Sequence, residues 1–123
     1  MRTDELMIGD FFLYKGNVVE IVSIDGGTGT VWIDSKKISA LRKVDDLQPI
    51  PLTPKILEKN GFEKDPEDGT MCYENKELEE VTWRGTILKI DSLSASLELV
   101  SCMYVHQLQH ALKLCSIGIE IRL

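Results

Sequence analysis

Phe11-Phe-Leu-Tyr-Lys-Gly-Asn-Val-Val-Glu-Ile-Val-Ser-Ile24 consists of two apolar runs around a short break, and its reading sets the fold of the first half of the chain. β-branched and aromatic residues dominate both runs, and Gly16-Asn17 between them is a two-residue hairpin loop of the Gly-Asn kind. In the second run Val19 and Ile21 share one face. Val18, Val22 and Ile24 share the other, with Glu20 the exception. A strand apolar on both faces suits the centre of a sheet or a barrel.

Moving outward, Asp25-Gly-Gly-Thr-Gly-Thr30 is the next turn and leads into Val31-Trp-Ile33, with Trp32 read as core. A strand follows this Gly-rich segment, so it lacks the helix N-terminus that a phosphate loop needs. Shorter strands follow near 37–41 and 44–50, before Pro49 and Pro51 break the pattern. Five short strands at this spacing predict a small SH3-like β-barrel or a curled meander over residues 1–50.

Leu52-Thr-Pro-Lys-Ile-Leu-Glu-Lys-Asn-Gly-Phe62 then carries start and stop signals for a helix over 53–60. Thr53 is the N-cap, Pro54 occupies the first helical position, and Gly61 supplies the left-handed residue that ends the helix. Leu57 is N4 counted from the start and C3 counted from the end. Leu52 therefore reaches it as a hydrophobic staple, and Phe62 as the contact of a Schellman end. A two-turn helix is not stable alone and must dock on something larger.

Beyond it lie an acidic turn, 64–70, and Met71-Cys-Tyr-Glu74. Two strand pieces over 79–91 surround Gly85, read as a bulge or bend. A strand over 97–102, a second helix over 104–115 and a closing strand over 117–123 complete the chain. In the last strand Ile117, Ile119, Ile121 and Leu123 alternate inward against Glu120 and Arg122. The class is α+β: a β-rich subdomain, 1–50, and an α+β subdomain, 51–123, within one 123-residue compact domain.

Net charge is −6. Residues 51–80 hold four basic against nine acidic residues, whereas 81–123 hold four against three. No basic stripe marks a phosphate backbone as a ligand, so direct nucleic-acid binding is not expected. No apolar run is long enough for a membrane span, and Met1-Arg-Thr-Asp-Glu5 is acidic and polar where a signal peptide would be basic then apolar. A cytoplasmic protein with reduced cysteines at 72, 102 and 115 is the expectation.

Reactive side chains do not converge. His106 and His110 have the i, i+4 spacing of a helical metal pair, and Cys102 extends the series to i+8. Eight helical residues rise about 12 Å, too far for one tetrahedral ion to span. On a helical wheel His106, Gln109, His110 and Lys113 form the polar face opposite Tyr104, Val105, Leu108, Ala111, Leu112 and Cys115. Asp65-Pro-Glu-Asp-Gly-Thr70 places Thr70 and Lys76 where a calcium loop needs Gly and Glu. Ser92, Ser94 and Ser96 lack a nucleophile elbow. Neither a cofactor nor a metal is called for, and the chain does not read as an enzyme.

Two readings of Trp83 stand beside the Gly85 bend: an interface anchor with Arg84, or packing against the second helix. Trp83, Arg84, His106, Gln109, His110 and Lys113 are the candidate contact surface.

Ile50-Pro-Leu-Thr53, Leu57, Asn60-Gly-Phe-Glu-Lys64 and Tyr104-Val-His-Gln-Leu-Gln109, with the opening Ile8-Gly-Asp10 and Tyr14-Lys-Gly-Asn-Val18, resemble a group of small proteins of Bacteroidales phage and mobile-element regions. The likeness runs in the same order over most of the chain. It departs after Gln109, where relatives are more aromatic and tend to carry Thr-Gly in place of the Cys115–Gly118 stretch. The resemblance implies a bacterial or phage setting and no reaction. The functional expectation is a non-enzymatic accessory protein that binds another protein, with no sign of a homo-oligomer. The rival is a small-molecule or nucleotide binder with a pocket between the barrel and the second helix. A weaker third reading is an acidic decoy.

Overall fold

The structure, a computed structural model, describes residues 2–64, 72–75, 81–91, 96–115, 117 and 120–123. It is α+β, with two antiparallel five-stranded sheets and two α-helices. The chain divides into two compact units, Met1–Ile50 and Pro51–Leu123, each holding one sheet. The acidic turn 65–70, Glu79, Ser92, Ser94 and Ile119 lie outside the described residues.

In the first unit β1 (Phe11–Tyr14), β2 (Asn17–Asp25), β3 (Thr30–Asp34) and β4 (Ser39–Lys43) form a meander. A 3-10 turn, Val44–Asp46, then leads to β5 (Leu47–Pro49), which pairs with β1. The order is β4-β3-β2-β1-β5, and no ladder joins β4 to β5, so the sheet is not closed. Its core is Phe12, Tyr14, Val19, Ile21, Val31, Ile33, Val44 and Leu47, with Leu6 from the N-terminal segment.

Three local features differ from the expectation. The hairpin loop is Lys15-Gly16 rather than Gly16-Asn17. Asn17 already pairs with Tyr14, and both loop residues have positive φ (47° and 79°), as a type I′ turn requires. Next, β2 buries one face only: Val19 and Ile21 are buried whereas Val18 and Val22 are 43% and 40% exposed. A bulge between Ile21 and Ser23 shifts the alternation by one, which returns Ile24 to the core side opposite buried Val31. Finally, Trp32 is 40% exposed and not core; its neighbours Val31 and Ile33 fill the inward positions.

In the second unit α1 (Pro54–Lys59) has the expected ends. Thr53 Oγ1 accepts from the Ile56 amide at 3.3 Å, and the Gly61 amide, at φ +86°, donates to the Glu58 carbonyl. Leu57 is fully buried, and Leu52 and Phe62 on either side are buried with it. The sheet is an unbroken meander: β6 (Phe62–Lys64), β7 (Cys72–Asn75), β8 (Val81–Arg84), β9 (Ile87–Asp91) and β10 (Ser96–Leu99). Gly85 is neither bulge nor bend. With Thr86 it forms the two-residue β8–β9 turn, its φ of +64° fitting the first position of a II′ turn. The second helix, α2 (Val105–Leu114), starts where Gln107 Oε1 accepts from the amides of Met103 and Tyr104, half of a capping box.

The closing segment is not a strand among the described residues. Ile121 is buried and Arg122 exposed, so the inward–outward pattern survives there without a ladder. The Asn60 carboxamide takes the place of a neighbouring strand. Its Oδ1 accepts from the Arg122 amide at 2.6 Å, and its Nδ2 donates to the Arg122 and Ile56 carbonyls, each at 2.8 Å. Asn75, itself buried, donates to the Asn60 carbonyl, so α1, β7 and the chain's end meet at one polar node. One side chain thus holds both backbone groups of Arg122 where no ladder does.

Candidate functional site

The structure redistributes the residues singled out from the sequence. Trp83 is buried, its side chain on the inward face of β8 with Val81. Its Nε1 donates to the Cys102 carbonyl at 3.0 Å, and its ring lies 6.0 Å from that of Tyr73 at 47°. An indole held this way cannot anchor a partner. Gln109 is also buried, because on the helical wheel it falls one turn from Val105 and beside Leu112, at the margin of the apolar face. Arg84 remains exposed and borders a surface hollow of about 320 Å³ with Glu74, Thr82, Ile87 and Lys89.

His106, His110 and Lys113 share one face of α2. Tyr104, His106 and His110 form a ring series, with centroids 5.9 Å apart and nearly parallel, then 5.6 Å apart and edge-on. Cys102 does not continue it, since it precedes the helix and its amide donates to the Thr86 carbonyl. Among the described residues, no group of three or more His, Cys, Asp or Glu side chains is placed to hold a metal ion.

Cys102 and Cys115 are free, buried thiols. Burial raises the Cys102 thiol to about 12, so it carries no thiolate near neutrality. This has a consequence in alkali. The unfolded chain loses that proton above about pH 9, while the folded chain keeps it until about pH 12. The folded state then holds more protons, and stability from this group falls by about 1.4 kcal/mol per pH unit across that window. Urea unfolding at pH 8 and pH 10 is expected to show a drop about 1 kcal/mol larger for the parent protein than for Cys102→Ala. Equal drops would contradict it.

The residues that sequence reasoning missed lie on the outer face of the first sheet. Trp32 on β3 stands directly opposite Leu41 on β4, and the two are 40% and 53% exposed. On the other side Trp32 pairs with Ser23, next to exposed Val22. Trp32 Nε1 donates to Ser39 Oγ at 3.0 Å, which fixes an exposed indole across two strands. At the sheet edge Arg42 donates from Nε to the Tyr14 hydroxyl at 2.8 Å and from Nη1 to the Leu41 carbonyl at 2.7 Å. This guanidinium occupies an acceptor on an edge strand, a device that blunts nonspecific strand pairing. The period-2 pattern of Thr30, Trp32 and Asp34 against Val31 and Ile33 was the available signal.

A second hollow, about 250 Å³, is lined by Asn17, Val18, Ser35, Lys36 and Lys37. Among the described residues no helix is long and apolar enough to cross a membrane. No protein-family model, curated protein or solved structure matches the chain.

Proposed function

We propose that this chain is a non-enzymatic binding protein whose partner is another protein, and that the contact surface is the outer face of the first sheet. The observation that carries this is the Trp32–Leu41 pair: two large apolar side chains in direct register and exposed, with exposed Val22 next to Ser23, the partner of Trp32 on β2. Isolated exposed apolar residues are ordinary, but a contiguous group around an aromatic residue marks interaction surfaces. The indole is already held by Ser39, so binding costs little ordering of that side chain. Strand order supports reading the first unit as an SH3-like barrel, since β5 returns to β1 after a 3-10 turn. The setting proposed is the cytoplasm of a bacterium or an infected host cell, where an accessory or counter-defence role fits the resemblance noted above.

The test is capture from a bacterial lysate on the immobilised protein, compared with Trp32→Ala/Leu41→Ser. The double variant is expected to unfold within about 1 kcal/mol of the parent, because both side chains are half in solvent. A specific partner is expected on the parent and not on the variant. A partner retained equally by both would count against this surface.

A further inference from the structure

We infer that the partner presents a cation to this face, an Arg or Lys side chain on an extended segment, seated against Trp32 beside the carboxylates of Glu20 and Asp34. The inference rests on the binding reading above and adds the chemistry of the partner. Glu20 on β2 is directly opposite Asp34 on β3, and both are exposed on the same face as Trp32. Side chains directly opposite in an antiparallel pair have Cβ atoms about 5 Å apart, and like charges there destabilise the sheet. No ion pair joins either carboxylate to a described residue, although Lys36 and Lys37 sit in the turn just beyond Asp34. The two carboxylates therefore face solvent on one side of the sheet with no direct ion pair to a described residue.

The tryptophan points the same way. Asp34 is two residues from Trp32 on one strand, and Ser39, which holds the indole nitrogen, is directly opposite Asp34. The ring consequently reaches across to β4 at the level of Asp34, away from Lys43. An exposed indole two residues from a carboxylate on the same face suits a guanidinium or ammonium group, which gains both the ring quadrupole and the charge. Leu41 and Val22 beside it accept the apolar side chains flanking that cation. Two carboxylates are too few ligands for a metal ion, and no third lies in reach among the described residues. An anionic partner would add to the repulsion between Glu20 and Asp34.

Panning a phage-displayed library of random dodecapeptides against the whole protein tests this, with Glu20→Gln/Asp34→Asn and Trp32→Ala/Leu41→Ser as counter-targets. All four positions are exposed, and thermal unfolding checks that each variant is folded. Selected peptides are expected to contain Arg or Lys beside apolar residues. They should bind the amide variant about tenfold more weakly, equivalent to about 1.4 kcal/mol, and weaken as NaCl rises from about 50 to about 500 mM. Peptides that need Trp32 and Leu41 but lack a cation and ignore the amide variant would overturn this inference and leave the apolar contact surface standing. No enrichment, or peptides indifferent to both variants, would overturn both.

Discussion

Replacing Trp83 by Ala is expected to cost about 3–5 kcal/mol of stability, the range for removing a buried aromatic side chain. Trp83 is 6% exposed, lies between Tyr73 and Leu88 in register, and donates to the Cys102 carbonyl. Deletion leaves a cavity in the second sheet's buried face and an acceptor without its donor, and both terms have the same sign. Trp83→Phe retains most of the packing and loses the hydrogen bond, so its cost should be about 1–3 kcal/mol. Urea unfolding separates the alternatives. An interface anchor on a solvated surface would change stability by about 0.5 kcal/mol or less on substitution.

Leu57→Ala is the second large effect, about 2–5 kcal/mol. The side chain is fully buried although its helix has only six residues, and Leu52 and Phe62, at the staple and Schellman positions that reach it, are buried as well. Such a helix derives its stability from docking rather than from propensity. The same substitution should release α1, seen as faster amide exchange at 56–61 than elsewhere in the second unit. A loss under about 1 kcal/mol would mean the two contacts do not carry the helix.

Legibility in the sequence followed the range of the forces involved. Caps, turn glycines and alternation act over a few residues, so all five strands of the first unit, α1 and α2 were readable to within a few residues. Where a decision depended on a distant partner, reading failed. The β2 bulge is a matter of register with β3, and without it Val22 and Ile24 belong to one face. Trp32 faces outward because Val31 and Ile33 fill the core, a choice that composition alone would reverse. The last segment alternates as a strand does, yet Asn60, sixty-two residues earlier, satisfies Arg122 through its side chain. In the candidate surface two of the six residues, Trp83 and Gln109, are buried. Trp83 was placed at a bend that is a hairpin turn, whereas Val81 and Trp83 alternating with Thr82 and Arg84 already showed which side is inward. Gln109 sat at the margin of the apolar stripe, where a wheel cannot decide between burial and solvent.

Hydroxyl-radical footprinting of the protein alone and with the partner captured from lysate tests the contact surface most directly, because it reads side chains rather than backbone. Trp32 and Leu41 are expected to lose reactivity on binding, while Trp83 stays unreactive in both states. Unchanged oxidation of Trp32 and Leu41, with protection confined to the His106–Lys113 face of α2, would contradict the account.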